Sequence, residues 1–222
     1  MPKLHRLERF NETTGETSTV NYTYDNNLLT TISSGESEYR YSYTNGTITT
    51  AEIWSGERLI TRYTYTIDND TQVTVAQYVF DNGNETLLRV EERQNLGNSV
   101  LRYNFYSFPG GEKTLEYYIQ KTVIAGNVTM EQSFDANGVS RDKISTWKFG
   151  EAINPLSYVS GNVSSRNQNL ATNHNFLDEG TLTIQQTHVI ETNEFKLPVQ
   201  ISSILRNSLF GDQRVIERYF YE

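Results

Sequence analysis

Val20, Tyr22 and Tyr24 alternate along the chain with Asn21, Thr23 and Asp25. Side chains of an extended strand point alternately to opposite sides, so this spacing predicts a strand with one aromatic face and one polar face. The same period of two recurs at Tyr41 and Tyr43, at Tyr63, Tyr65 and Ile67, at Leu101, Tyr103 and Phe105, and at Tyr219 and Tyr221. The positions between them are Thr, Asn, Arg or Ser, and Phe220 in the last pair.

Turn signals separate these segments. Asn45-Gly46, Asn82-Gly83 and Asn137-Gly138 accept the positive φ that tight hairpins require. Weaker signals stand at Gly15, Asp25-Asn26-Asn27, Gly35, Ser55-Gly56, Asp68-Asn69-Asp70, Gly97-Asn98, Pro109-Gly110-Gly111 and Gly126-Asn127. Turns this frequent leave strands of about 7 to 10 residues, each joined to its sequence neighbour, which describes an antiparallel meander. The pattern fails between about 150 and 180. There Ile153-Asn154-Pro155-Leu156 leads into an Asn/Ser-rich stretch from Ser160 to Asn175, read as a long loop with one short helical turn after Pro155. Strands resume at Thr181–Glu191, Leu197–Leu205 and Gln213–Tyr221. The Tyr-x-Tyr pairs begin at 22, 41 and 63, too unevenly spaced for a solenoid or propeller.

Composition agrees with strands. The chain has 222 residues, 36% of them hydrophobic, with 15 Tyr and 10 Phe; aromatic side chains bury large areas, so a core is available. Residues 1–222 read as a single all-β domain of about ten or more strands. A sheet that long must curl, split or close. The expectation is a strongly curved sheet, a half-barrel or a closed barrel, with the Tyr22/Tyr24 face inside and the 150–180 loop plugging or covering it.

Charge then narrows the partners. A formal charge of -8 and a pI near 5.0 argue against nucleic acid, whose phosphates attract clustered Lys and Arg. There is no Cys, which removes disulfides, thiolate metal sites and Cys nucleophiles. No apolar run reaches the roughly 18 residues of a membrane helix. Met1–Phe10 lacks the apolar segment of a signal peptide, which weighs neither way on location.

The segment Tyr22-Thr23-Tyr24-Asp25-Asn26-Asn27-Leu28-Leu29-Thr30-Thr31-Ile32 resembles the Tyr-Asp unit of exported Bacteroidetes proteins. The likeness to Rhs/YD-repeat shell proteins is the weaker one, because this chain is short and lacks their Gly and Arg positions. It is more similar to a Bacteroidetes exported domain of unknown function with a porin-like fold, in which Tyr-x-Tyr-Asp hairpins precede an Asn-Pro-centred loop and a last aromatic strand. Ala152-Ile153-Asn154-Pro155-Leu156 and Tyr219-Phe220-Tyr221 match that order, whereas Phe80-Asp81 and Phe134-Asp135 keep only a fragment of the unit. The resemblance implies export, as a periplasmic or outer-membrane-attached lipoprotein-type protein, and implies no known activity.

Candidate chemistry is sparse. His5, His174 and His188 show no metal-ligand spacing; His174 and Asp178 would meet only across a loop, and solvated polarity is the simpler reading. Glu91-Glu92 and Asp178-Glu179 are adjacent pairs, which on a strand point to opposite faces and do not form a glycosidase pair. Asp68-Asn69-Asp70 and Asp81-Asn82-Gly83 resemble pieces of calcium loops without EF-hand spacing and read better as turn residues. Sequons at Asn21, Asn45 and Asn127 follow from the Asn/Thr-rich composition. Trp54 and Trp147 are the binding candidates, as a platform for sugar rings, although alternate aromatics are first of all what a sheet core needs. No cofactor is indicated.

Alternation is shared by soluble sheets and outer-membrane barrels. An apolar face rich in Tyr at mid-strand, with few apolar positions per face, favours water. The functional expectation is a non-enzymatic exported module that binds a ligand or acts as a scaffold, with a glycan or a protein at the cell surface as partner. A surface hydrolase acting on glycans or other polymers and a small outer-membrane barrel stay open as alternatives.

Overall fold

The computed structural model describes residues 2–69, 72–157, 167–207 and 211–222. Within them sixteen strands follow one another: β1 Leu4–Asn11, β2 Thr17–Asp25, β3 Leu28–Ser34, β4 Ser37–Thr44, β5 Thr47–Ser55, β6 Arg58–Asn69, β7 Gln72–Asp81, β8 Asn84–Gly97, β9 Val100–Ser107, β10 Thr114–Ile124, β11 Asn127–Asp135, β12 Ser140–Ile153, β13 Asn169–Asp178, β14 Thr181–Thr192, β15 Pro198–Asn207 and β16 Gln213–Tyr221. Each pairs antiparallel with the next, and β1 pairs with β16, Leu7 opposite Tyr219. The meander therefore closes into a barrel without a free edge, which resolves the problem of unpaired N–H and C=O groups. Sixteen strands about 4.8 Å apart, tilted by about 40°, make a wall about 30 Å across between backbones.

The register carries one face around the whole circle. Tyr22 stands opposite Ile32, Ile32 opposite Tyr39, Tyr41 opposite Ala51 and Ala51 opposite Tyr63. The row continues through Gln77 and Arg89, and the same face returns at Leu7 and Tyr219. Leu156 identifies this face as the inner one. It belongs to the connection between β12 and β13, yet it packs on the cluster of Leu4, Leu7, Tyr22 and Leu29, carried by strands four to six places from β13 around the ladder. A side chain reaches that far only through the interior. The expected orientation of the Tyr22/Tyr24 face is what the barrel has.

The apolar core thus lies at one end, where the chain termini, the β12–β13 connection and the β14–β15 connection meet. Leu4, Leu29, Leu197 and Pro198 are fully buried there. Tyr43 donates its hydroxyl to the Leu29 carbonyl at 2.7 Å, and Tyr221 donates to the Pro198 carbonyl at 2.8 Å. Tyr suits this inner lining because its ring fills space while its hydroxyl satisfies a backbone acceptor.

Two expectations need correction. Strands run from 7 to 14 residues rather than 7 to 10, because tilted barrel strands are staggered and extend past one another. The irregular region is shorter than 150–180: β12 continues to Ile153 and residues 169–178 are strand β13, while residues 158–166 lie outside the described residues. β13 lacks an aromatic alternation, and ladders to β12 and β14 on both sides hold it in place instead. Pro155 itself lies in an Asn-initiated turn, with the Leu156 amide donating to Asn154 Oδ1 at 3.1 Å and the Ser157 amide to the Asn154 carbonyl at 3.0 Å; the rest of the expected helical turn falls outside the described residues.

The hairpins also divide by type. Asn45-Gly46 and Asn82-Gly83 have positive φ at both residues, the mirror-image turn that matches strand twist. At Asn137-Gly138 only Gly138 does; there Asp135 Oδ1 accepts the amides of Asn137 and Val139, each at 2.9 Å. Of the Asp68-Asn69-Asp70 signal, Asp68 and Asn69 end β6, and Asp70 lies outside the described residues.

Candidate functional site

The inner wall differs around its circumference. From β16 through β6 it is mainly aromatic and aliphatic: Tyr219, Tyr221, Leu7, Val20, Tyr22, Tyr41, Tyr63 and Tyr65. From β7 to β15 the same face carries Gln77, Arg89, Glu91, Arg93, Lys121, Glu131, Trp147, His174, Gln186, His188 and Ser203, as the register dictates. A wide bore explains the tolerance for charge: side chains from opposite walls of a sixteen-stranded barrel do not fill it, so the inner face need not be wholly apolar.

The inner charges are matched across and along strands. Arg93 contacts Glu91 at 2.5 Å, Lys121 contacts its cross-strand partner Glu131 at 2.6 Å, and Arg9 contacts its partner Glu217 at 2.5 Å. Most of these groups are less than one third exposed, and a half-buried charge is tolerated when it is paired. Glu217 also accepts the Tyr219 hydroxyl at 3.1 Å. Burial, reinforced by Glu217, pushes the Tyr219 phenol well above its ordinary range.

Arg89 is held differently. Its Nε donates to Gln77 Oε1 at 2.8 Å and its guanidinium lies 5.5 Å from the Phe105 ring centre. Tyr63, opposite Gln77, has its phenol pushed up by burial while Arg89 pulls it down. Phe105 stacks on Tyr117, centroids 4.6 Å apart, and Arg141 covers Tyr117 at 5.2 Å.

A polar aromatic patch lies on β12 to β15. Trp147 and His174 are cross-strand partners and stack at 4.8 Å with their planes 2° apart. His188 Nδ1 meets Ser203 Oγ at 2.7 Å. Burial lowers the pKa of both histidines, against the opposing pull of Glu131 on His174 and of Glu217 on His188.

Several sequence candidates are separated by this geometry. Trp147 faces inward, whereas Trp54 lies on the outer wall, covered by Arg40 at 4.3 Å and donating Nε1 to Glu52 at 3.0 Å. They stand on opposite surfaces and form no common platform. His174 and Asp178 both sit on strand β13, not across a loop, and Asp178 faces Lys143 at 4.0 Å. Glu91 points inward to Arg93, while Glu92 points outward to Lys113 and accepts the Tyr106 hydroxyl at 3.0 Å. Asp81 lies 3.4 Å from Arg58, and Asn127 is buried, donating to Asn169 Oδ1 at 3.1 Å. His5 is exposed beside Glu222. Arg89, Gln77, Lys121 and Ser203 were not singled out by the sequence, since nothing local marks a charged residue as inward-facing.

These features define a porin-like β-barrel fold. Among solved structures the chain is similar to a porin-like protein from Bacteroides vulgatus ATCC 8482, with a TM-score of 0.57 and 9% identity over 100% of this chain and 99% of that one. A porin-like protein from Bacteroides uniformis ATCC 8492 aligns over 99% of this chain and 98% of that one, at 12% identity and a TM-score of 0.43. No protein-family model matches the chain, and no curated protein matches it.

Proposed function

We propose that this chain is a non-enzymatic exported module, periplasmic or attached at the cell surface, whose barrel stands in water and binds a ligand through its inner wall. The outer wall carries the argument. Glu38 and Arg40 pair on β4, and Arg62 on β6 contacts Glu52 at 2.9 Å and Glu85 at 3.1 Å. Farther round, Glu92 pairs with Lys113, and Arg102 covers Tyr118 at 3.8 Å. Arg6 and Glu8 on β1, 3.4 Å apart, add a pair beside the seam. Each Arg or Lys facing lipid near the midplane costs about 2 to 4 kcal/mol, so a wall charged at several places round its circumference favours water on both sides. Export is what the sequence resemblance implies, and porin-like neighbours are in keeping with it.

The inner acids support binding over hydrolysis. A glycosidase needs two carboxyl groups free to exchange protons at a defined separation, whereas Glu91, Glu131 and Glu217 are each tied to a cation. The His188–Ser203 contact has the distance of a nucleophile and its base. Ser203, however, lies on β15 between two paired neighbours, whose ladder hydrogen bonds occupy the amides an oxyanion would need.

Two measurements test this reading. Purified without detergent and mixed with lipid vesicles, the protein remains in the aqueous fraction; co-flotation with the vesicles overturns the water-standing barrel. On a panel of neutral and acidic glycans it retains at least one saturably, and silence across the panel and across cell-surface protein extracts overturns the binding role.

A further inference from the structure

The inner cations do not all have acids. Arg9, Arg93 and Lys121 each hold a carboxylate, and Lys143 at the rim faces Asp178. Among the described residues no carboxylate lies within ion-pair distance of Arg89 or of Arg141. Asp135, opposite Tyr117, spends Oδ1 on two amides of its own loop. The two cations bracket a continuous aromatic ledge in the order Arg89, Phe105, Tyr117, Arg141, with contacts of 5.5, 4.6 and 5.2 Å.

The ledge lies near the mouth opposite the apolar end. Arg89 is five residues from the start of β8, Phe105 two from the end of β9 and Tyr117 three from the start of β10; all three ends belong to that mouth. At about 3.3 Å per residue along a tilted strand, Arg89 lies on the order of 12 Å below the rim. Gln77 and Tyr63 follow Arg89 in the same inner row and add a side-chain amide and a phenol. Glu91 stands opposite Phe105, tied to Arg93, and Asp135 stands opposite Tyr117, so Arg89, Arg93 and Arg141 exceed the two acids by one in a chain of net charge -8.

We propose that this ledge is a binding site for a carboxylate-bearing ligand, with the Arg89 fork as its anchor and the half-buried edge of Tyr117 as the contact for the ligand's body, while Phe105, 8% exposed, lies buried between Arg89 and Tyr117 and holds both in place. Arg89 uses Nε on Gln77, which fixes the plane of the guanidinium and leaves its terminal nitrogens for an anion. A planar fork matches a carboxylate bidentately, and such charge-assisted contacts are about twice as strong as neutral ones. Tyr117 is already held by its stack on the buried Phe105, so little is lost in ordering it. Arg141, exposed at the rim, adds long-range attraction at the entrance. The proposal rests on the reading of the barrel as a ligand-binding module and names the ligand's chemistry.

Glucuronate and glutarate, titrated into the isotopically labelled full chain and followed by amide NMR, supply the test, with neutral glucose as a third ligand. We expect both carboxylates to shift the amides of Arg89, Phe105 and Tyr117 saturably. Tighter binding of glucuronate identifies a sugar acid as the natural class, and tighter binding of glutarate a non-sugar carboxylate. Arg89→Gln weakens both at least about tenfold, equivalent to about 1.4 kcal/mol, Arg89→Lys weakens them less, and Arg214→Gln on the outer wall leaves them unchanged. If Arg89→Gln does not give a native-like spectrum, Arg141→Gln at the exposed rim carries the test with a smaller loss. Equal affinity in the native-like variants, or no carboxylate-dependent shift on the ledge, overturns the site. Glucose shifting inner-wall amides where the carboxylates do not overturns it too, while leaving the binding module itself standing.

Discussion

Leu4→Ala probes the closure of the barrel and the apolar end together. Leu4 is 1% exposed, opens β1 beside Tyr221, and shares a cluster with Leu7, Tyr22 and Leu29, on which Leu156 packs. The substitution removes three carbon groups; at about 0.8 kcal/mol each the lost burial is about 2.4 kcal/mol. The vacated volume adds a cavity term, because strands fixed by ladders on both sides collapse little, giving about 3 to 4 kcal/mol in all. For a chain of this size that lowers Tm by about 10 °C. Val189→Ala is the control: Val189 is 66% exposed on the outer wall, and its truncation costs under about 0.5 kcal/mol. Urea unfolding of both variants, read by tryptophan fluorescence, provides the comparison. A Leu4→Ala cost no larger than that of Val189→Ala would refute the buried seam.

Other consequences follow from single contacts. Gly46 has φ +76 and open space where a Cβ would stand, so Gly46→Ala costs about 1 kcal/mol from backbone strain alone, measured by the same unfolding assay. A double-mutant cycle on Lys121 and Glu131, 20% and 27% exposed, gives a coupling of about 1 kcal/mol, whereas the exposed Arg58–Asp81 pair gives none within error. Burial raises the pKa of Tyr63, Tyr65, Tyr106, Tyr219 and Tyr221. The unfolded chain therefore releases these protons first, and the tyrosine contribution to stability, level below pH 10, falls as pH rises beyond it. Tyr219→Phe makes that fall shallower in alkaline unfolding curves. Burial lowers the pKa of His174 and His188, so stability falls as pH drops below about 6.5, and His188→Gln flattens that limb.

The strand alternation was legible because it is local. Tyr22 and Tyr24, or Tyr63 and Tyr65, show their shared face two residues apart, and Asn45-Gly46 shows its turn within a dipeptide. Closure was not legible, since the pairing of β1 with β16 joins residues more than 200 positions apart and no local pattern encodes it. β13 was missed because Asn173 and Asn175 stand on the outer face while His174 and Phe176 face a bore that tolerates polarity, leaving no apolar period to detect. The turn at Ala125-Gly126, with positive φ at both residues, was displaced by one in the sequence reading, because Ala is a poor predictor of that conformation. Trp54 and Trp147 looked equivalent; only the register, with its bulges, assigns them to opposite walls. The site residues Arg89 and Gln77 meet as cross-strand partners, and neither carries a signature until the strands are aligned.

The central claim is that the Tyr-x-Tyr face lines the barrel and the Thr/Arg/Glu face meets water. The chain has no native Cys, so single cysteines at positions 63, 64, 65 and 66 of β6 report each face cleanly. A bulky polymer-linked maleimide, applied without detergent and again with lipid vesicles, reads their accessibility. The account predicts rapid labelling of Thr64→Cys and Thr66→Cys under both conditions and slow labelling of Tyr63→Cys and Tyr65→Cys. Reversal of that alternation, or protection of positions 64 and 66 by the vesicles, would contradict it.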